Sequence, residues 1–541
     1  MKTYLRVAAF FSLLLVAACS QSSSDSSASS SSSAPQQSGL MVLNRGNGAE
    51  PKSLDPDYID GIWESQIAGD LLMGLTTEDA NGNPIPGVAK SWETSADKLT
   101  WTFHLRDETW SDGQPVTADD FVYAWRRILD PKTAAAYAYY LYPIKNAKDV
   151  NTGKQPGTAL GIAAPDAHTV VITLEHPLPF LPEFLTHQTT FPLPKHVVEA
   201  KGQDWAKPGN YVSNGAYVLK EWVSNDHVTL TKNPKFYDVA NVKVDVVNYY
   251  PTSDADAALK RLRAGELDTQ DPIPVQQIDW LRANMKDELR ITPALTTFYL
   301  VFNLTKRPLQ DIHVREALTL AYDRETMAEK VMRLGQVPAY NIVPPGTANY
   351  PGGVAMKFKD MSYAERLAKA QSLMREAGYG PDHMLVLNYA TANSTYAKPG
   401  IAPLQQMWRQ AYVDLKIVLS DVQINYQKLQ EGDYEVGNAA WVADFNDPSN
   451  FLDLLRKGGG NNYGRYDNPK YDALLDQAQN EIDLEKRGKI LAEAEQMVLG
   501  DYAWAPTLFG VTTVMVQPYV KGWVTNNKEI NRTRWLSVEK H

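Results

Sequence analysis

From about Leu40 onward the sequence predicts a mixed α/β protein, and three observations carry that reading. Short runs that alternate apolar and polar residues, the mark of half-buried strands, are interleaved with stretches whose apolar residues recur every three to four positions. No segment repeats at a fixed period, so solenoids and propellers are set aside. At 541 residues the chain has room for more than one core, since domains typically span about 100–200 residues.

In chain order, Lys2 and Arg6 precede an apolar run from Val7 to Leu15, and Val16-Ala17-Ala18 leads into Cys19. That is the pattern of a secretory signal peptide (1–18), too short to span a bilayer. Twelve of residues 20–38 are serine, a composition that buries too little apolar surface to fold and reads as a flexible tether. Leu99 to Leu105 alternates at period two and predicts a strand, as does Val228 to Thr231. Val314 to Ala321 and Leu484 to Leu499 predict helices with apolar faces. Ser362 and Glu365 form a capping box for a helix that runs to Gly378, the residue expected just past its end.

Composition excludes several functions. The chain is 44% hydrophobic and 21% charged, with 53 basic against 63 acidic residues and a net charge of −10. Without a basic block it has no electrostatic footprint for nucleic acid. One cysteine, Cys19, precludes internal disulfides and cysteine-ligated metal clusters. The chain lacks G-x-x-x-x-G-K-[ST], H-E-x-x-H and G-x-S-x-G, which argues against nucleotide, zinc-protease and serine-hydrolase chemistry. Asp55-Pro-Asp57-Tyr-Ile-Asp60-Gly61 superficially resembles a calcium loop. Its glycine comes one residue late and no glutamate closes it, so it reads as a turn capped by its own aspartates. No metal and no cofactor is expected.

Several segments together resemble the extracytoplasmic solute-binding proteins of peptide-type ABC importers, most closely the oligopeptide-binding proteins. They are Glu50-Pro-Lys-Ser-Leu-Asp-Pro56, Pro86-Gly-Val-Ala-Lys-Ser-Trp92, Trp101-Thr-Phe-His-Leu-Arg106, Trp110-Ser-Asp-Gly-Gln-Pro115, Asn214-Gly-Ala-Tyr217, Trp441-Val-Ala-Asp-Phe-Asn-Asp-Pro448 and Asn468-Pro-Lys-Tyr-Asp472. The Val-Ala-Ala-Cys run is similar to the bacterial lipobox, which implies a lipid on Cys19 and residues 19–39 as lipidated cysteine and tether. The resemblance further implies an α/β, two-lobed periplasmic-binding-protein fold with a hinge and an additional domain. The first lobe is expected at 40–72, 198–296 and 512–541, the extra domain at 73–197 and the second lobe at 297–511.

The same resemblance implies the site. Asp444 would accept the ligand's α-ammonium, Trp441 and Tyr137 would wall the pocket, and Asp60 would face a ligand side chain. Asn438 stands where well-known relatives carry a basic residue for the ligand's carboxylate, and Leu429 further back is no cation either, so the carboxyl end would need another partner such as Lys306 or Arg307. The expected protein is a non-enzymatic, monomeric, membrane-anchored lipoprotein outside the cytoplasm that captures oligopeptides and delivers them to ABC transporter permease subunits, with no nucleic-acid partner. Two alternatives stay open at this point. One is the same fold with a cell-wall peptide, oligosaccharide or metal chelate; the other is a secreted hydrolase, because a carboxylate pair set by three-dimensional spacing leaves no motif.

Overall fold

A computed structural model describes residues 39–59, 61–394 and 397–540. Cys19, the leader, the tether and Asp60 lie outside the described residues. The body, Leu40–His541, is organised by one eleven-stranded mixed sheet. Its order is Val413–Ser420, Leu385–Ala392, Val436–Val442, Leu289–Phe302, Trp504–Val516, Thr269–Gln270, Val42–Gly46, Val246–Tyr250, His227–Lys232 and Tyr217–Val223, with Val337–Pro338 added against Trp504–Val516.

The two long central strands pair antiparallel, from Leu289 opposite Met515 to Val301 opposite Trp504. The register shifts between Pro293 and Thr297, bending the ladder where the sheet passes from one apolar core to another. One core gathers Leu43, Trp101, Phe103, Trp125, Tyr217 and Val247. A second gathers Leu300, Phe302, Trp408, Leu415, Val436 and Trp504. A smaller cluster around Leu259, Leu262, Leu281 and Met515 lies beneath the first of the long strands.

Local patterning explains the elements. Thr100–Leu105 alternates half-buried and buried residues along its length, as period two requires, and joins a separate four-stranded antiparallel sheet. Ser362 caps the helix Tyr363–Glu376 with the reciprocal Glu365 bond, and Gly378 takes φ +90° just beyond its end. Asp55 caps the turn at Pro56–Tyr58 through the Asp57 N–H at 3.2 Å, and both aspartates pair with Arg127. Among the described residues, no helix is long and apolar enough to cross a membrane.

The helix Leu484–Gly500 positions the segment after the strand Val436–Val442. Asp483 caps it, accepting from Glu485 and Lys486 N–H groups. Four residues on from Asp483, the buried Arg487 makes a two-pronged ion pair with the fully buried Asp447, at 2.6 and 2.8 Å. Asn446 accepts the Ala348 N–H at 2.8 Å, tying the same segment to a second loop. Because the pair is taken out of water, removing one partner strands the other charge. Asp447→Ala is therefore expected to cost about 3–5 kcal/mol in a urea titration, the range for a broken buried pair. A loss below about 1 kcal/mol would show that Arg487 finds water instead.

Candidate functional site

The site is built on the strand Val436–Val442. On one side it pairs antiparallel with Leu289–Phe302, from Val436 opposite Phe302 to Val442 opposite Thr296. The Asn303 N–H donates to the Glu435 carbonyl and the Ala443 N–H to the Leu295 carbonyl, each at 2.9 Å. The alternation of an antiparallel ladder then assigns the main-chain groups of Gly437, Ala439 and Trp441 to that partner. Those of Asn438, Ala440 and Val442 point the other way. There the parallel pairing with Leu385–Ala392 stops at Ala390 opposite Gly437. From Asn438 onward this edge carries no strand among the described residues, and only the Tyr426 hydroxyl, 3.5 Å from the Ala440 N–H, approaches it.

Past the strand's end a cavity of about 520 Å³ opens, lined by Trp63, Tyr137, His187, Val442, Asp444 and Glu529 among others. Its charges are unevenly matched. Arg532 pairs with Glu78 at 3.1 Å, and Lys528 pairs with Glu183. Glu529 accepts a hydrogen bond from the Thr512 hydroxyl. The Asp444 carboxylate has no cation and no hydrogen-bond donor among the described residues; burial alone pushes it up to about 7. His187, enclosed against Tyr140 with ring centroids 4.3 Å apart, is held neutral by burial, its proton affinity lowered to about 3.

The scaffold around Asp444 is rigid. Asn450 Oδ1 accepts from Trp441 Nε1 at 2.6 Å and from the Asp444 N–H at 3.3 Å, locking the two residues together. The next side chain, Phe445, packs among Phe180, Phe184 and Tyr140 with ring centroids 5.5, 6.0 and 6.3 Å away. Asp444 thus points into the cavity from a segment pinned by Asn450, Phe445 and Asp447.

The structure brings Asp444 and Tyr137 to this one cavity, the Tyr137 ring lying 5.3 Å from Tyr139 and 5.8 Å from His187. Trp441 lines neither this cavity nor the next one along the strand; its ring faces the second core and buttresses Asp444 through Asn450. Asn438 lines a second cavity, of about 190 Å³, at the other end of the open edge. Asp60 is outside the described residues, although its neighbour Gly61 lines the Asp444 cavity. Leu429 is fully buried against Gly437, and Lys306 and Arg307 are exposed and line neither cavity. Lys528, Glu529 and Arg532 were invisible in the sequence reading, because they sit in a C-terminal stretch with no periodicity and no motif.

This arrangement, an open strand edge leading to an unpaired carboxylate in a two-lobed α/β protein, is that of a ligand-capturing receptor. The chain belongs to the bacterial extracellular solute-binding proteins, family 5: the model described as "Bacterial extracellular solute-binding proteins, family 5 Middle" matches residues 83–463. It is 36% identical over 510 residues to the periplasmic oligopeptide-binding protein OppA of Escherichia coli (strain K12), covering 93% of each chain. It is 36% identical over 499 residues to the periplasmic murein peptide-binding protein MppA of the same organism, covering 91% of this chain and 92% of that one. The crystal structure of Haemophilus influenzae OppA in complex with RPPGFSPFR superposes with a TM-score of 0.81 at 33% identity, covering 93% and 99% of the two chains.

The carboxyl of Asp444 binds its proton more tightly folded, at about 7, than at its ordinary value of 3.8. Between those values the folded state holds more protons than the unfolded one, so stability falls as pH rises through the window and the penalty is complete above it. Asp444→Asn removes the ionisation and is expected to raise the melting temperature of the unliganded protein by about 1–3 °C at pH 8 and to leave it unchanged near pH 4. An equal shift at both values would show that Asp444 is solvated in the free protein.

Proposed function

We propose that the protein is an extracytoplasmic, non-enzymatic receptor that captures oligopeptides by their free amino terminus and passes them to the permease subunits of an ABC importer. The observation that carries this reading is the Asp444 carboxylate, half-buried in the cavity and without a cation among the described residues, at the end of an open strand edge. Main-chain groups of Asn438, Ala440 and Val442 suit an extended peptide laid alongside, which adds affinity without regard to side chains. The ligand's ammonium then supplies the charge that Asp444 lacks, a charge-assisted bond in a site from which water is removed. The curated relatives named for binding oligopeptides and murein peptides are the second support.

In this proposal the lobes are 40–72 with 198–296 and 512–541, and 297–511, with 73–197 as the extra domain, closing as a monomer about the ligand. A cell-wall peptide is the second reading. Glu529 faces the same cavity and has no cationic partner among the described residues, so it suits a ligand with a further ammonium group.

Calorimetry with a short peptide and its N-acetylated form tests the amino-terminal bond. Wild type is expected to lose several kcal/mol on acetylation, of the order of about 2–5 kcal/mol for an unpaired buried charge, and Asp444→Asn to lose little further. Equal binding of both peptides by wild type would remove Asp444 from the ligand site. We also propose that a lipid on Cys19 holds the receptor at a membrane. Cys19→Ser is then expected to move the protein into the soluble fraction with its melting temperature unchanged, and an unaltered membrane fraction would refute the anchor.

A further inference from the structure

The second cavity differs in chemistry from the first. It lies beside Asn438, between the strands Val436–Val442 and Leu385–Ala392 and the helix Val422–Glu431, and among the described residues none that lines it is Asp, Glu, Lys, Arg or His. Aromatic and thioether groups dominate its walls, among them Phe298, Tyr322, Tyr389, Tyr426, Met327 and Met332. Three carboxamides interrupt them, and one of these, Gln336, already accepts the Leu334 N–H at 3.1 Å. Asn425 is 1% exposed, and its Oδ1 is buried without a hydrogen-bond partner. The Oδ1 of Asn438 is buried and unpartnered too. Most buried polar atoms in native proteins find a partner, and leaving two unmatched in one cavity is costly to the unliganded fold.

We propose that this cavity binds one uncharged aromatic side chain of the ligand that carries an N–H or O–H donor, tyrosine or tryptophan, with Asn425 and Asn438 accepting its hydrogen bond. Flat walls and methionines accommodate a ring. A carboxylate or an ammonium buried here would find no counter-charge. Phenylalanine would fill the walls and leave the amides unmatched. The inference rests on the reading that the ligand runs along the open edge with its amino terminus at Asp444. Asn438 is four residues upstream of Val442, where the strand ends beside the Asp444 cavity, about 13 Å at ~3.3 Å per residue, so the aromatic residue sits inside the ligand rather than at its first position.

Calorimetry with free-amine hexa-alanine peptides carrying Tyr, Trp, Phe, Glu or Lys at each of positions two to six in turn tests it. At one position Tyr or Trp is expected to bind at least about tenfold tighter than Phe, Glu and Lys. Asn438→Leu and Asn425→Leu should each bring Tyr and Phe within about twofold at that position, while the Phe peptide keeps its wild-type affinity. Both variants should melt at or above the wild-type temperature, since each removes an unmatched buried polar atom. Equal binding of Tyr and Phe at every position, preference for Glu or Lys, or a Tyr preference that survives both variants would overturn the proposal while leaving the peptide reading intact. Should no free-amine peptide bind, that reading fails by itself, and N-acetyltyrosinamide, which has no amine for Asp444, tests the cavity alone. Binding of it in preference to N-acetylphenylalaninamide, abolished by Asn438→Leu, would sustain the proposal, and absence of that binding would overturn it.

Discussion

The pairing of Leu289–Phe302 with Trp504–Val516 is the contact on which the rest of the molecule depends. These two strands run the length of the sheet's centre, and each contributes residues to more than one apolar core: Met515 to the small cluster, Val514 and Val516 to the first core, Trp504 and Leu508 to the second. The bulge near Pro293–Thr297 lets the same ladder serve all three. Thr297, fully buried, holds the bend to a neighbouring loop by donating to the Ile342 carbonyl at 2.7 Å. The strand that carries the site, Val436–Val442, is hung on this scaffold along one edge; its other edge pairs with Leu385–Ala392 only as far as Gly437 and carries no strand beyond that among the described residues.

The charges around the site obey one rule, that a buried charge is tolerated when matched. Arg487 with Asp447, Arg532 with Glu78 and Lys528 with Glu183 are matched within the chain. Asp444 is not, and it stands three residues from Asp447 in the same short segment. The contrast between two aspartates so close together is informative. One is given a guanidinium and fixes the backbone; the other has no partner among the described residues and lines the open cavity. A structural carboxylate in that position would have acquired a donor, as Glu495 has from the Ile342 and Val343 N–H groups at 2.5 and 2.7 Å.

Local structure was legible in the sequence where the physics is local. The alternation from Leu99 to Leu105, the capping box at Ser362 and the apolar face from Leu484 to Leu499 each specify an element from a few neighbouring residues, and the observed strand Thr100–Leu105 and helices Tyr363–Glu376 and Leu484–Gly500 match them within a residue or two. The two-lobed class followed from ordered resemblance rather than from periodicity, because a sheet assembled from strands hundreds of residues apart leaves no local trace. Asp444 and Tyr137 could be singled out from motif positions. That Trp441 would brace Asp444 through Asn450 could not be read, since the bond depends on the turn between them. Nor could Asn425, whose partner in lining a cavity, Asn438, lies on a different element.

The central claim is that a ligand's ammonium ionises and pairs with a carboxyl whose proton affinity burial has raised to about 7. Such a carboxyl holds its proton at pH 6 in the free protein and must release it when an ammonium ligand binds. The direct measurement is the binding enthalpy of one free-amine peptide at pH 6 in buffers of different ionisation enthalpy. The account predicts an enthalpy that varies linearly with the buffer's, corresponding to nearly one proton released per peptide, and no such variation for Asp444→Asn. A wild-type enthalpy independent of buffer would contradict it.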